Sequence, residues 1–193
     1  MRYTRAFAAA LLLALTCAGA AAQTDCALPK ADRSVAGIAL GDADSAVRVL
    51  GRDFTPLFDN PKSDHPWLIF ASRGNRQLLL LRHHPGDAEH SYMEAEVKLG
   101  RHDRKPPTIP VFDFTTGGGI KLGMRRRTVV ARLGTCFKRD IRDGNEVIRY
   151  EIAKKNGAPD NPLLKAANMP QYYAEYEFHG TTLVRFRFGF SPV

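Results

Sequence analysis

The chain has 193 residues, a formal net charge of +8 and a hydrophobic fraction of 44%. That is enough apolar content and length for one domain or two small ones. The basic balance is compatible with nucleic acid, an acidic partner or an anionic membrane surface. The Lys and Arg residues are scattered rather than gathered in a tract, which argues against nucleic acid and favours plain solubility as the simplest reading of the charge.

Residues 1–22 read as an export signal. Arg2 and Arg5 supply a positive start, an apolar run extends from Ala6 to Leu15, and Ala20-Ala21-Ala22 offers a small-residue cleavage site. The run is too short to span a bilayer, and no later stretch is apolar enough for a transmembrane helix. Neither Cys17 nor Cys26 is preceded by a good lipoprotein signal. A periplasmic or secreted protein, cleaved near Ala22, is expected. Cys26 and Cys136 then remain. In an oxidising compartment an even pair suggests a disulfide. It would close a loop of about 110 residues, for which the chain-entropy account gives roughly 4 to 5 kcal/mol.

Along the mature chain the dominant feature is a repeat. Gly37-Ile38-Ala39-Leu40-Gly41 leads to Val47 and Leu50-Gly51, and Gly119-Ile120-Lys121-Leu122-Gly123 leads to Val129 and Leu133-Gly134. Self-similarity of this kind marks one structural unit used twice. The expected division is a first helix-plus-sheet unit over 23–104 and a second over 105–193. Lys105-Pro106-Pro107 and Pro110 lie in the connector, where a helix or central strand cannot continue.

In unit one, a short helix is expected over Asp42 to Leu50, stopped by Gly51. Strands follow over Trp67 to Ser72, Gln77 to His83 and Tyr92 to Leu99, with a hairpin turn at Gly74-Asn75. Apolar and charged residues alternate from Met93 to Leu99, so one sheet face should be covered and the other wet. In unit two, a helix is expected over Met124 to Leu133, stopped by Gly134, then strands over Glu146 to Ala153, Gln171 to His179 and Leu183 to Phe190. Lys154 to Met169 reads as a loop with at most a helical turn.

The last hairpin can be read residue by residue. Tyr172, Ala174, Tyr176 and Phe178 share one face, and so do Val184, Phe186, Phe188 and Phe190 on the next strand. Charge and aromatic pairing favours Glu177 opposite Arg185, Glu175 opposite Arg187 and Tyr176 opposite Phe186. A two-residue turn at Gly180-Thr181 would mix the faces, so a loop of odd length is expected there.

The string Gly-Ile-x-Leu-Gly-Met, followed by Val and then Leu-Gly, resembles the repeat of β-lactamase-inhibitor-protein-like domains and is similar to the SmpA/OmlA (BamE) type of outer-membrane assembly lipoprotein. Gly119 to Gly134 follows the pattern throughout, and Gly37 to Gly51 follows it with one residue missing. The resemblance implies an α+β fold of two tandem units, each with short helices packed on an antiparallel sheet, in a saddle-like body. It implies a non-catalytic binding protein of the bacterial cell envelope, acting through its sheet face on a protein or envelope component. Inhibition of a secreted hydrolase is a second reading. A small-molecule enzyme, with Asp140 and Asp143 beside the arginines, is a third.

Candidate partner-binding residues are Tyr173, Glu175, Arg185 and Arg187 on the polar face of unit two, and Glu94, Glu96 and Lys98 on that of unit one. Exposed aromatic and Arg residues are common interface anchors. Arg125, Arg126 and Arg127 stand in the first turn of the second helix, where the macrodipole disfavours cations. They are candidates to receive an anion: a carboxylate, a phosphate or an acidic partner surface. Enzyme signatures such as Gly-x-Ser-x-Gly around Ser72 are lacking. Thr115-Thr116-Gly117-Gly118-Gly119 lacks the Lys-Ser/Thr of a phosphate loop and reads as a turn. His83, His84 and His90 read as solvated loop residues rather than metal ligands. No cofactor and no metal are expected.

Overall fold

A computed structural model describes residues 31–55, 57–59, 62–63, 66–83, 89–154 and 161–191. The expected signal at 1–22, Cys26 and His84 lie outside them.

Chain order is β1 (Ser34–Val35), β2 (Ile38–Ala39), α1 (Ala43–Leu50), β3 (Leu68–Ser72), β4 (Gln77–Arg82), β5 (Glu94–Leu99), β6 (Thr108–Ile109), α2 (Arg126–Leu133), β7 (Lys138–Arg142), β8 (Asn145–Ala153), α3 (Pro162–Ala167), β9 (Gln171–His179) and β10 (Thr182–Ser191). β1 and β2 form a small hairpin. The other eight strands form one sheet in the order β6-β3-β4-β5-β10-β9-β8-β7, antiparallel except for the parallel pair β3 and β6.

This corrects the expected α+β fold of tandem helix-plus-sheet units. Strand accounts for 42% of the described residues and helix for 15%, so the chain is mostly β, with one large mixed sheet and three short helices. The reason lies in the last strand. β10 pairs with β5 over five residue pairs, from Arg185 opposite Lys98 to Gly189 opposite Glu94. Edges that would have bounded two sheets therefore hydrogen-bond each other. One apolar cluster runs across the join, from Phe70, Leu79 and Val97 to Tyr150, Tyr176 and Phe188. Helices α1, α2 and α3 contribute Ala46, Val129, Leu133 and Leu164 to that cluster. They all cover the same face of the sheet.

The pentapeptides repeat a backbone conformation. Gly37 and Gly119 have φ of +85° and +78°, and Gly41 and Gly123 have +75° and +83°. Ile38 and Ile120 are both fully buried between them. The turns before them touch: Val35 bridges Thr116, the Ala36 N–H donates to the Thr115 carbonyl at 3.0 Å, and the Gly117 N–H donates to that of Ser34 at 2.9 Å. The helices that follow start differently. Asp42 caps α1, its side chain accepting from the Ser45 N–H at 3.1 Å. Arg125 gives α2 no side-chain cap, and the Arg126 N–H donates to the Thr181 carbonyl at 2.9 Å instead.

The last hairpin has the expected register: Arg185 faces Glu177, Phe186 faces Tyr176 and Arg187 faces Glu175. Its loop is not of odd length. Thr182 pairs with His179 across a two-residue turn, and the register then shifts between Leu183 and Arg185. Val184 is the extra residue of a β-bulge, so Leu183 enters the core in its place. β7 was not expected, because Lys138-Arg139-Asp140-Ile141-Arg142 carries no apolar alternation. All five of its residues are exposed at the sheet edge, where charges discourage pairing with another chain. Within the expected loop 154–169, Asn161 caps α3 by accepting from the Leu163 N–H at 2.9 Å.

Candidate functional site

Alternation places one set of side chains on the sheet face opposite the helices. From β7 to β5 this outer face carries Lys138, Arg149, Glu175, Arg187 and Glu96 in one row, and Asp140, Val147, Glu177, Arg185 and Lys98 in the next. Opposite charges face each other at Arg149–Glu175, Glu175–Arg187, Arg187–Glu96 and Glu177–Arg185. Arg149 Nη1 donates to Glu175 Oε1 at 2.7 Å, Arg185 Nη2 to Glu96 Oε2 at 2.7 Å and Arg187 Nη2 to Glu94 Oε2 at 2.6 Å. Arg142, from the edge strand, reaches Glu175 at 3.2 Å.

The lattice centres on Glu94. Arg82, Arg187 and the Tyr173 hydroxyl all donate to its carboxylate, which is nearly fully buried. Burial pushes its pKa up. The three hydrogen bonds and the Arg187 charge outweigh burial and hold it at about 2, below the usual carboxylate range. Burial, then the Glu94 charge, push the Tyr173 phenol far above its ordinary value, so it stays a donor. Gly189 makes room: a Cβ there would lie 2.6 Å from Glu94 Cγ and 2.6 Å from the Met93 carbonyl oxygen.

Aromatic rings lie against the guanidinium groups. Arg82 and Arg187 sit 4.6 and 5.0 Å from the Trp67 centroid, and Arg149 and Arg187 sit 4.9 and 5.3 Å from that of Tyr173. The Nε atoms of Arg82 and Arg187 are buried without a hydrogen-bond acceptor, and the indole supplies their attraction instead.

The structure brings the seven candidate partner-binding residues together on this face. It corrects two expectations about them: Tyr173, expected as an exposed anchor, is 5% exposed, and at β5 the polar face is not wet. Glu94 and Glu96 are 2% and 5% exposed, because long side chains from β4, β9 and β10 lie across them. Beyond β5 the face turns apolar, and Ile69, Ala71, Leu78 and Leu80 form a second buried cluster against Trp67. The residues missed by sequence reasoning are Arg82, Arg149 and Trp67. Each sits in a predicted strand, and only strand order shows that they converge with Glu94 and Tyr173. The cleft between Arg142, Val147, Glu175, Glu177, Arg185 and Arg187 has a volume of about 10 Å³, room for about one water molecule.

The arginine triplet is divided. Arg126 Nε lies 2.9 Å from Glu146 Oε2, and its guanidinium lies 5.4 Å from the Phe137 centroid. Arg139 joins the same carboxylate at 2.8 Å. Glu146 therefore supplies the anion that the triplet suggested, while Arg125 and Arg127 remain exposed.

The glycine-rich loop also holds an anion, one from the chain itself. Buried Asp32 accepts from the Gly118 N–H at 2.8 Å and from the Tyr176 hydroxyl at 3.0 Å. Its backbone carbonyl accepts from the Tyr172 hydroxyl at 2.6 Å. A Cβ on Gly118 would stand 2.5 Å from Asp32 Oδ1, so this approach needs glycine.

The remaining candidates are dispersed. Ser72 is buried, and its hydroxyl accepts from the Gln77 N–H at 3.2 Å within the hairpin turn. His83 packs on Tyr92 and His90 beside Phe54, and among the described residues no group of three His, Cys, Asp or Glu could hold a metal ion. Asp140 pairs with Arg142 at 3.0 Å, and that hydrogen bond holds its pKa below the usual range. Asp143 lies in the β7–β8 turn with φ of +51°. Cys26, the expected disulfide partner of Cys136, lies outside the described residues.

Comparison of the chain with protein-family models, curated proteins and solved structures found no match to any of them.

Proposed function

We propose that the chain is an exported, non-catalytic binding protein of the bacterial cell envelope, periplasmic or secreted after cleavage near Ala22. It acts through the outer face of its sheet on a protein or envelope component. The observation that carries this reading is the arginine–glutamate lattice. Its guanidinium groups are held by carboxylates on one side and by Trp67 and Tyr173 on the other. Side chains already held in place lose little further entropy on binding, and Arg with aromatic neighbours supplies strong anchors.

The test is site-specific photo-crosslinking in the native envelope. A photoreactive residue at Lys98 or Lys138, on the outer face, should give a discrete covalent product. The same residue at Lys165, exposed on α3 over the other face, should not. Equal products from all three positions, or none from Lys98 and Lys138, would discard the outer face. A hydrolase as the captured partner would make the protein an inhibitor.

The export reading carries a second expectation. If Cys26 pairs with Cys136, denatured protein from the native compartment should titrate these thiols only after reductant is added. Equal titration with and without reductant removes the bridge.

A further inference from the structure

A second surface lies at one end of the sheet. The β3–β4 turn, the end of β5 and the segment before the glycine-rich loop meet there. The Arg73 N–H donates to the Val111 carbonyl at 2.7 Å, and the Gly100 N–H donates to that of Arg76 at 3.1 Å. Gln77, opposite Leu99 in the sheet, reaches Asp113 at 3.0 Å.

Two of the three exposed large hydrophobic side chains among the described residues protrude at this end: Phe112 is 68% exposed and Leu99 53%. Exposed cations surround them. Arg73 lies over the Phe112 ring, 5.2 Å from its centroid, and Arg76 and Arg101 flank Leu99 through the Gly100 contact. Lys121 neutralises Asp113 at 2.9 Å. From Lys121 the chain crosses to β10, where the Gly123 N–H donates to the Leu183 carbonyl at 2.8 Å. That crossing sets Arg125 opposite Thr182, at the same end of the sheet.

The outer-face arginines are matched by carboxylates. By contrast, Arg73, Arg76, Arg101, Arg125 and Arg127 have no ion-pair partner among the described residues. Protruding apolar side chains inside a ring of unmatched cations suit a broad anionic surface with an apolar interior beneath it. The aromatic ring and leucine enter the headgroup boundary while the cations meet phosphates. A partner protein would need an acidic rim around two separate apolar pockets to do the same.

We propose that this rim docks the protein on an anionic lipid surface. The proposal concerns a different surface from the outer face, and either can fail without the other.

The test is co-sedimentation of mature protein with phosphatidylcholine vesicles, with and without cardiolipin. Binding to the cardiolipin vesicles should be at least about tenfold stronger and should fall as salt is raised. The double variant Arg73→Glu, Arg76→Glu should lose at least about tenfold, and Phe112→Ser several-fold, with unfolding midpoints unchanged because all three sites are exposed. No sedimentation, equal binding to both vesicle types, or variants that bind like the parent would each overturn the proposal. If soluble polyglutamate binds as tightly as the vesicles, and Phe112→Ser changes neither, the rim belongs to an acidic macromolecule instead.

Discussion

Glu94→Ala should destabilise the fold by about 3 to 5 kcal/mol, the usual cost of removing one partner of a buried ion pair. Arg82 and Arg187 would be left facing each other, and the Tyr173 hydroxyl would lose its acceptor. Urea unfolding measures this directly. Glu94→Gln keeps the shape and removes the charge, so a comparable loss would show that charge rather than volume matters. A loss below about 1 kcal/mol for both variants would mean the lattice is solvated and weak. The same group sets an acid limit. Its folded pKa is about 2, against 4.5 for the free group. As pH falls through 4.5 the unfolded chain takes up a proton that the folded chain refuses. The stabilisation from Glu94 is therefore complete above that pH and disappears as pH falls toward 2. Glu94→Gln should flatten the stability profile in this window. An unchanged profile would show that other carboxylates govern acid unfolding.

Asp32→Ala should cost about 2 to 4 kcal/mol. It strands two buried donors, the Gly118 N–H and the Tyr176 hydroxyl, each carrying a penalty of roughly 1 to 3 kcal/mol. The effect should reach beyond local stability, because Asp32 is where the start of the described chain is tied to both β9 and the glycine-rich loop. Amide exchange at Gly118 and at Thr116, whose N–H donates to the Ile120 carbonyl, should accelerate more than exchange in β3 and β4. Uniform acceleration would mean a purely global effect. Asp32→Asn should recover part of the loss, since its amide oxygen can still accept from Gly118.

Much of the chain was readable from local pattern. The β9–β10 register followed from charge and aromatic pairing, because a one-residue slip would have turned the charged set of the slipped strand, Glu175 and Glu177 or Arg185 and Arg187, toward the core. Its bulge was not readable: an odd loop and a two-residue turn followed by one extra residue satisfy the same pairing. Edge strand β7 was missed because all its residues face water or the edge, and no burial pattern is written into them. The glycine-rich loop was read correctly as a turn. Its occupant, Asp32, lies far along the chain, and nothing local joins the two.

The sequence by itself determined the repeated pentapeptides with their turns, the helices α1 and α2 that follow, and which face of β9 and β10 is apolar. These depend on neighbours within a few residues, where sterics and periodicity act directly. Only the tertiary structure decided that β5 and β10 join into one sheet instead of bounding two. That join sets Glu94 beside Arg187 and Tyr173, and it brings Trp67 and Arg82 to the same point. Strand order is a choice among edges with similar hydrogen-bonding groups, and it is settled by which side chains can be buried together across the whole sheet. The outer-face lattice exists only after that choice is made.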